Sequence, residues 1–127
     1  MPAERARNYQ KGLKAERRAV WWLRLKGYRI LGSRVKTPVG EIDLLAKRGT
    51  VLVAVEVKTR PHIADAMEAI PPRQWQRIAK ALEWWLAGHQ QKSFSNKPPD
   101  LRFDAVFISP GSWPRHIRDA WRPGGLK

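Results

Sequence analysis

Residues 40–60, GEIDLLAKRGTVLVAVEVKTR, constrain the fold more than any other stretch of the chain. Two apolar runs flank Arg48-Gly49-Thr50, and β-branched residues crowd the second run, which predicts a β-hairpin turning at Gly49-Thr50. With Arg48 and Val51 flanking the turn, residues whose numbers sum to 99 face one another, so Asp43 falls opposite Glu56. Alternation along each strand places Ile42, Leu44 and Ala46 on one face with Val51, Val53, Val55 and Val57. Asp43, Glu56 and Lys58 take the other face, in the company of Leu45, Leu52 and Ala54.

Two acids held opposite one another repel unless a positive charge lies between them. A hard divalent cation with Lys58 beside it would supply that charge. The competing reading pairs the acids with lysines and arginines on a solvated sheet face. Leu45, Leu52 and Ala54 on the same face weigh against it, because they imply partial burial.

These residues carry a resemblance. Asp43, a second run, then Glu56-Val57-Lys58 resembles the D…(D/E)-x-K signature of the restriction-endonuclease-like nuclease superfamily. The longer strings GEIDLLA and VEVKTR resemble the YraN family of nuclease-like proteins, relatives of archaeal Holliday junction resolvases, and the similarity extends from Gly12 to about Trp121. The resemblance implies an α/β, restriction-endonuclease-like three-layer core, a mixed central sheet flanked by helices in the order α-β-β-β-α-β. It also implies Mg²⁺ or Mn²⁺ held by Asp43, Glu56 and the main-chain carbonyl of Val57. Lys58 would then orient or help deprotonate the attacking water, or stabilise the charged transition state. DNA is the implied substrate, branched or otherwise structured, and a two-fold junction calls for a homodimer.

The rest of the composition is compatible with that expectation. At 127 residues the chain is expected to be one domain, 1–127, large enough for a sheet covered by two helices. It has no cysteine, which excludes disulfides and thiolate metal sites and fits a reducing cytoplasm. No apolar run approaches the ~20 residues needed to span a bilayer, and MPAERARNYQKG lacks the apolar core of a signal peptide. A formal net charge of +14, spread along the chain, makes nucleic acid the expected partner. A ribosome-associated protein or a binder of anionic membranes would share that charge.

In chain order, Glu4 to about Lys26 reads as a helix ended by Gly27, with Tyr9, Leu13, Val20 and Leu23 at three- and four-residue steps. Glu16 falls on the same stripe, where a carboxylate must be ion-paired or bound to something. By resemblance it matches the N-terminal acidic residue of resolvase-like nucleases, which would touch the metal's ligands or hold a second ion. Gly12 would let a backbone or a phosphate come close. Lys11, Lys14, Arg17, Arg18 and Arg24 form a basic face from which Lys14 and Arg17 are candidates for phosphate contact. Trp21 and Trp22 point in neighbouring directions, so one belongs to the core; base stacking is the other available use.

Tyr28 to Lys36 reads as a first strand, turned by Thr37-Pro38-Val39-Gly40 into the hairpin. Beyond Arg60, itself a phosphate-contact candidate, Pro61 to Pro71 reads as an irregular substrate-contacting loop. His62, Asp65 and Glu68 lie there without metal-ligand spacing. Pro72 opens a second helix to about Ala87, before Gly88, with Trp75, Ile78, Ala79, Leu82 and Leu86 on its apolar face. The YraN family often has a lysine where this chain has Gln74, beside Arg73; the departure leaves Arg73, Gln74 and Arg77 as phosphate contacts rather than catalytic groups. His89 to Pro99 reads as a polar loop, and Leu101 to Ser109 as a central strand. Asp104 resembles the family's R-F-D segment and suits an ion pair with Arg102 or a basic helix residue. His116 to Trp121 would add an edge strand, and 122–127 a frayed tail.

Phosphodiester hydrolysis requires an activated water, neutralised charge at phosphorus and a stabilised leaving oxygen. The leading reading is therefore a metal-dependent endonuclease. The alternatives are a non-catalytic basic nucleic-acid-binding module that keeps the nuclease fold, and a basic scaffold for RNA or another protein.

Overall fold

The computed structural model describes residues 2–60, 70–93 and 97–124. Residues 61–69, with His62, Asp65 and Glu68, and residues 125–127 of the expected tail lie outside the described residues, as does the side chain of Tyr9. The chain runs α1 (Pro2–Leu25), β1 (Arg29–Thr37), β2 (Gly40–Arg48), β3 (Val51–Thr59), α2 (Pro72–Ser93), β4 (Asp100–Ile108) and β5 (Arg115–Trp121). The five strands form one sheet in sequence order. All neighbours are antiparallel except β3 and β4, which are parallel because α2 crosses over between them.

The expected hairpin is present with its register: Leu44 pairs with Val55, Ala46 with Val53 and Arg48 with Val51. Its turn needs a left-handed residue, and Gly49 supplies one at φ 60°. The turn before it is built by Thr37, whose hydroxyl donates to the Gly40 carbonyl (2.6 Å) and accepts from the Gly40 N–H (3.0 Å).

Two layers of helix cover the sheet. On one face Ala15, Ala19 and Leu23 of α1 pack with Leu44, Ala46, Val53, Val55, Val106 and Ile108. On the other, Trp75, Ile78, Ala81, Leu82 and Trp85 of α2 pack on Leu45, Leu52, Ala54, Phe103, Ala105 and Phe107. This is the three-layer α/β architecture the sequence implied, edge strand included.

Three expectations are corrected. The buried stripe of α1 keeps Leu23 of the expected set, with Val20 packed partly buried beside it, but is completed by Ala15 and Ala19, because small side chains let the helix lie close to the sheet. Glu16 thereby moves to the flank. The second helix does not stop before Gly88 but runs to Ser93, and His89 is helical: its ring stacks on Trp85 at 4.3 Å between centroids, with Nδ1 2.8 Å from the Trp85 carbonyl. Finally, Ile42 does not share a face with Leu44; it packs in the α2 layer with Leu45, while Leu44 packs under α1. Strict alternation fails across Asp43, and on the neighbouring strand Arg34 takes a left-handed φ of 51°.

Candidate active site in a fork of the sheet

The break at Asp43 creates the site. The β2–β3 ladder ends at Leu44 and Val55, although β1–β2 pairing continues to Thr37 and Gly40, and β3–β4 pairing continues to Thr59 and Ile108. The sheet therefore forks between β2 and β3. In the fork the Asp43 carboxylate replaces a ladder carbonyl, accepting the Val57 N–H at Oδ2 (2.9 Å). Asp43 is thus not Glu56's ladder partner, but its side chain reaches it.

Glu56 is 3% exposed and faces the α2 layer. Its Oε2 accepts from the Gln74 amide and lies 3.5 Å from the Lys58 ammonium. Burial raises the Glu56 pKa first, and a hydrogen bond to Asp43 and the charge of Asp43 raise it further; Lys58 opposes them, and the result is about 8. One lysine does not offset two carboxylates in a buried fork.

The first turn of α2 closes the site from the other side. Pro72 starts the helix, the first turn carries no acidic residue, and the N–H groups of Gln74 and Trp75 bond to the Pro71 carbonyl at 2.9 and 3.3 Å. Gly40 holds this end of α2 against β2: a Cβ there would lie 3.0 Å from the Arg77 carbonyl oxygen. Exposed Arg73 and Arg77 stand one turn apart on the positive end of the helix. Arg60 follows β3, with its guanidinium donating to the Thr59 carbonyl (2.7 Å).

The remaining candidates lie on the other layer. Glu16, 16% exposed at its side chain, is ion-paired to Arg34, whose Nε is 3.1 and 3.2 Å from the two carboxylate oxygens. It belongs to the α1 side, whereas Glu56 faces α2. A Cβ on Gly12 would stand 3.7 Å from the Arg34 guanidinium, an ordinary contact, and among the described residues no backbone approaches Gly12 closely. Lys14 and Arg17 are exposed on α1. Asp43, Glu56, Lys58 and Gln74 are thus brought together, Arg60, Arg73 and Arg77 border them, and Glu16, Lys14 and Arg17 lie across the sheet. Among the described residues no group of three or more His, Cys, Asp or Glu side chains is arranged to hold a metal ion.

A second buried carboxylate, Asp104, has a different environment. Arg102 grips it from both sides (Nε–Oδ1 and Nη2–Oδ2, each 2.8 Å), His116 Nε2 is 2.7 Å from Oδ2, and the Asp119 N–H donates to Oδ1 (2.9 Å). Burial pushes its pKa up, but Arg102, His116 and the Asp119 N–H outweigh burial and hold it at about 2. The network continues from Arg102 to the Tyr28 hydroxyl, and from His116 Nδ1 to the Lys26 ammonium (2.8 Å). An ion pair with Arg102 was legible in the sequence, as two residues apart on one strand face; His116 and Lys26 were not, since they come from distant segments.

The comparisons with known proteins agree on one family. The model of the uncharacterised protein family UPF0102 matches residues 15–108. A UPF0102 protein of Parvibaculum lavamentivorans is 49% identical over 122 residues, covering 96% of this chain and 89% of the relative. One from Bradyrhizobium diazoefficiens is 46% identical over 93% of this chain and 86% of its own length, and one from Sphingopyxis alaskensis is 44% identical over 94% and 98%. The chain belongs to the UPF0102 family, the YraN type that its GEIDLLA and VEVKTR strings resemble.

Proposed function

We propose that the protein is a metal-dependent endonuclease that hydrolyses phosphodiester bonds in DNA, with branched or otherwise structured DNA as its substrate. The observation that carries this reading is the convergence of Asp43, Glu56 and Lys58 in a fork of the sheet, where one lysine is too little positive charge for both carboxylates to ionise together. Hard carboxylate oxygens under that strain suit a small divalent cation. Asp43, Glu56 and the Val57 carbonyl would hold Mg²⁺ or Mn²⁺, which when bound supplies positive charge at the scissile phosphate and makes water more acidic.

The chain's own groups do the rest. Gln74 orients Glu56 by its amide bond, and Asp43 is fixed by the Val57 N–H. Lys58 is placed to orient the attacking water or to stabilise negative charge on the phosphoryl oxygens. Arg60, Arg73 and Arg77, with the positive end of α2, grip phosphates beside the cut. Glu16 acts at one remove, through Arg34 at the point where the strands change face.

Cleavage of end-labelled single-stranded, duplex, flap and four-way-junction DNA with Mg²⁺ or Mn²⁺ tests this. Activity in the wild type, lost in both Asp43→Ala and Lys58→Ala, is the expected result; cleavage indifferent to both substitutions would sink the assignment. If the four-way junction is the preferred substrate, sedimentation should reveal a homodimer.

The contact of both Gln74 and Lys58 with Glu56 Oε2 favours a second reading, a basic nucleic-acid-binding module that keeps the fold without the reaction. Calorimetry separates the two, because only the enzyme needs a Mn²⁺ site that disappears in Asp43→Ala.

A further inference from the structure

Three tryptophans meet on the α1 side of the molecule, far apart in sequence. Trp113, in the loop between β4 and β5, stacks on Trp21 with ring planes 11° apart and centroids 6.5 Å apart, and lies 5.6 Å from Trp22. Burial does not account for the arrangement: Trp113 is 70% exposed and Trp21 52% exposed. Trp22, beside them, buries its indole N–H without a hydrogen-bond partner among the described residues, an arrangement that costs stability rather than adding to it.

The loop is fixed in place. The Arg18 guanidinium donates to the Ser112 carbonyl (2.7 Å), tying the loop to α1, and the Ser112 N–H donates to the Ser109 carbonyl (3.3 Å). Ser109 in turn donates its hydroxyl to the Arg60 carbonyl (2.7 Å), and the Arg60 N–H bonds to the Ile108 carbonyl (3.0 Å). Arg60 lies two residues beyond Lys58. The loop is therefore tied, through the Ser109 hydroxyl and main-chain bonds, to the end of the strand that carries Glu56 and Lys58.

Charge identifies what such a surface would bind. Trp21 shares a groove with Leu13, Val20, Arg17, Arg24 and Glu16; the Glu16 carboxylate is matched by Arg34, and both groove arginines are exposed. A partner protein's apolar patch would leave those cations unmatched in a chain of net charge +14, whereas a polyanion with exposed ring faces satisfies both features at once. Duplex DNA hides its base faces; a single strand presents them.

We propose that Trp21 and Trp113 are a base-stacking platform for an unpaired DNA segment whose phosphates are met by Arg17 and Arg24, so that the substrate carries single-stranded nucleotides on the α1 side of the sheet, across from the fork. The inference rests on the nuclease reading for its connection to cleavage and narrows that reading to substrates with unpaired bases.

Binding can be measured apart from cleavage, in EDTA, by fluorescence anisotropy of the full chain with three labelled ligands of equal length: oligodeoxythymidylate, an abasic deoxyribose-phosphate strand, and duplex DNA. The wild type should bind oligodeoxythymidylate about tenfold or more tighter than the abasic strand. Trp113→Ala and Trp21→Ala should each remove most of that preference while leaving abasic affinity within about twofold, and Trp113→Phe should restore part of it. Asp43→Ala should keep the preference intact while losing cleavage, whereas a wild type that shows the preference but cleaves none of the DNAs would remove the catalytic reading and leave the platform standing. A wild type that binds the base-bearing and abasic strands equally would overturn the platform. So would Trp113→Ala and Trp21→Ala variants that keep the preference, or a concentration-dependent self-association abolished by Trp113→Ala while DNA binding is unchanged.

Discussion

Glu56 and Asp104 are both buried carboxylates on neighbouring strands, and their partners drive their protons in opposite directions. Asp104 has a bidentate arginine, a histidine and a backbone N–H, so its charge is matched. Its folded pKa of about 2 lies below the ordinary 3.8, so the folded state is favoured by the ionised form. That contribution, about 2 kcal/mol, is complete above pH ~4 and is lost as pH falls through ~2. Asp104→Ala leaves the half-buried Arg102 and the buried His116 ring without their partner and should cost about 3 kcal/mol in urea denaturation at pH 7. An undiminished midpoint would mean that the network is ornamental. Glu56 has the opposite sign. Its pKa, raised to about 8, means that the folded state holds a proton more tightly than the unfolded chain, so its contribution is full below pH ~4.5 and disappears as pH rises through ~8. In EDTA, Glu56→Gln should flatten that loss and raise the Tm at pH 9 by roughly 5 °C, while abolishing cleavage. A variant both inactive and less stable at pH 9 would show that the charge is already matched in the fold.

The elements were largely legible because each hangs on a local rule. Pro72 marks the start of α2, Gly49 the hairpin turn, and the crowded valines β3, all of them near-neighbour effects visible in the chain. The register of β2 and β3 followed from the turn alone. What the sequence did not disclose depends on contacts between distant segments. Alternation predicts that Ile42 and Leu44 share a face, and no local signal says that Asp43 breaks it; the cause is the Val57 N–H, fourteen residues away, which draws the carboxylate into the ladder's place. Ala15 and Ala19 of α1 carry little hydrophobic signal in the sequence, though they are what permits close packing. Trp113 had no periodic context at all. Gly40 illustrates the same limit: it reads as a turn residue, yet what it does is admit α2. Gly40→Ala should push the first turn of α2 outward and cost about 1–3 kcal/mol, with reduced activity because Gln74 retreats from Glu56. Equal stability and activity in that variant would place the control of α2 elsewhere.

At the scale of the molecule the question is how a net charge of +14 is apportioned. The described basic residues near the fork, Arg60, Arg73 and Arg77, stand at the end of β3 and the start of α2, whereas Lys14, Arg17 and Arg24 stand on α1, across the sheet. Among the described residues no helix is long and apolar enough to cross a membrane. If the two basic zones hold the two parts of one substrate, duplex at α2 and a single strand at the tryptophans, their contributions separate by salt. Each phosphate released from Arg73 or Arg77 should lower the slope of log K against log salt by about 0.9 for duplex DNA, whereas Trp113→Ala should leave that slope unchanged. For an oligodeoxythymidylate the order reverses: Arg17→Ala and Arg24→Ala should each lower the slope by about 0.7, and Arg73→Ala should not. Measuring both ligands from low to moderate salt therefore reads out which face each strand touches. Equal losses on both ligands for every variant would mean that the charge acts as one diffuse field, and that the two faces do not divide the substrate between them.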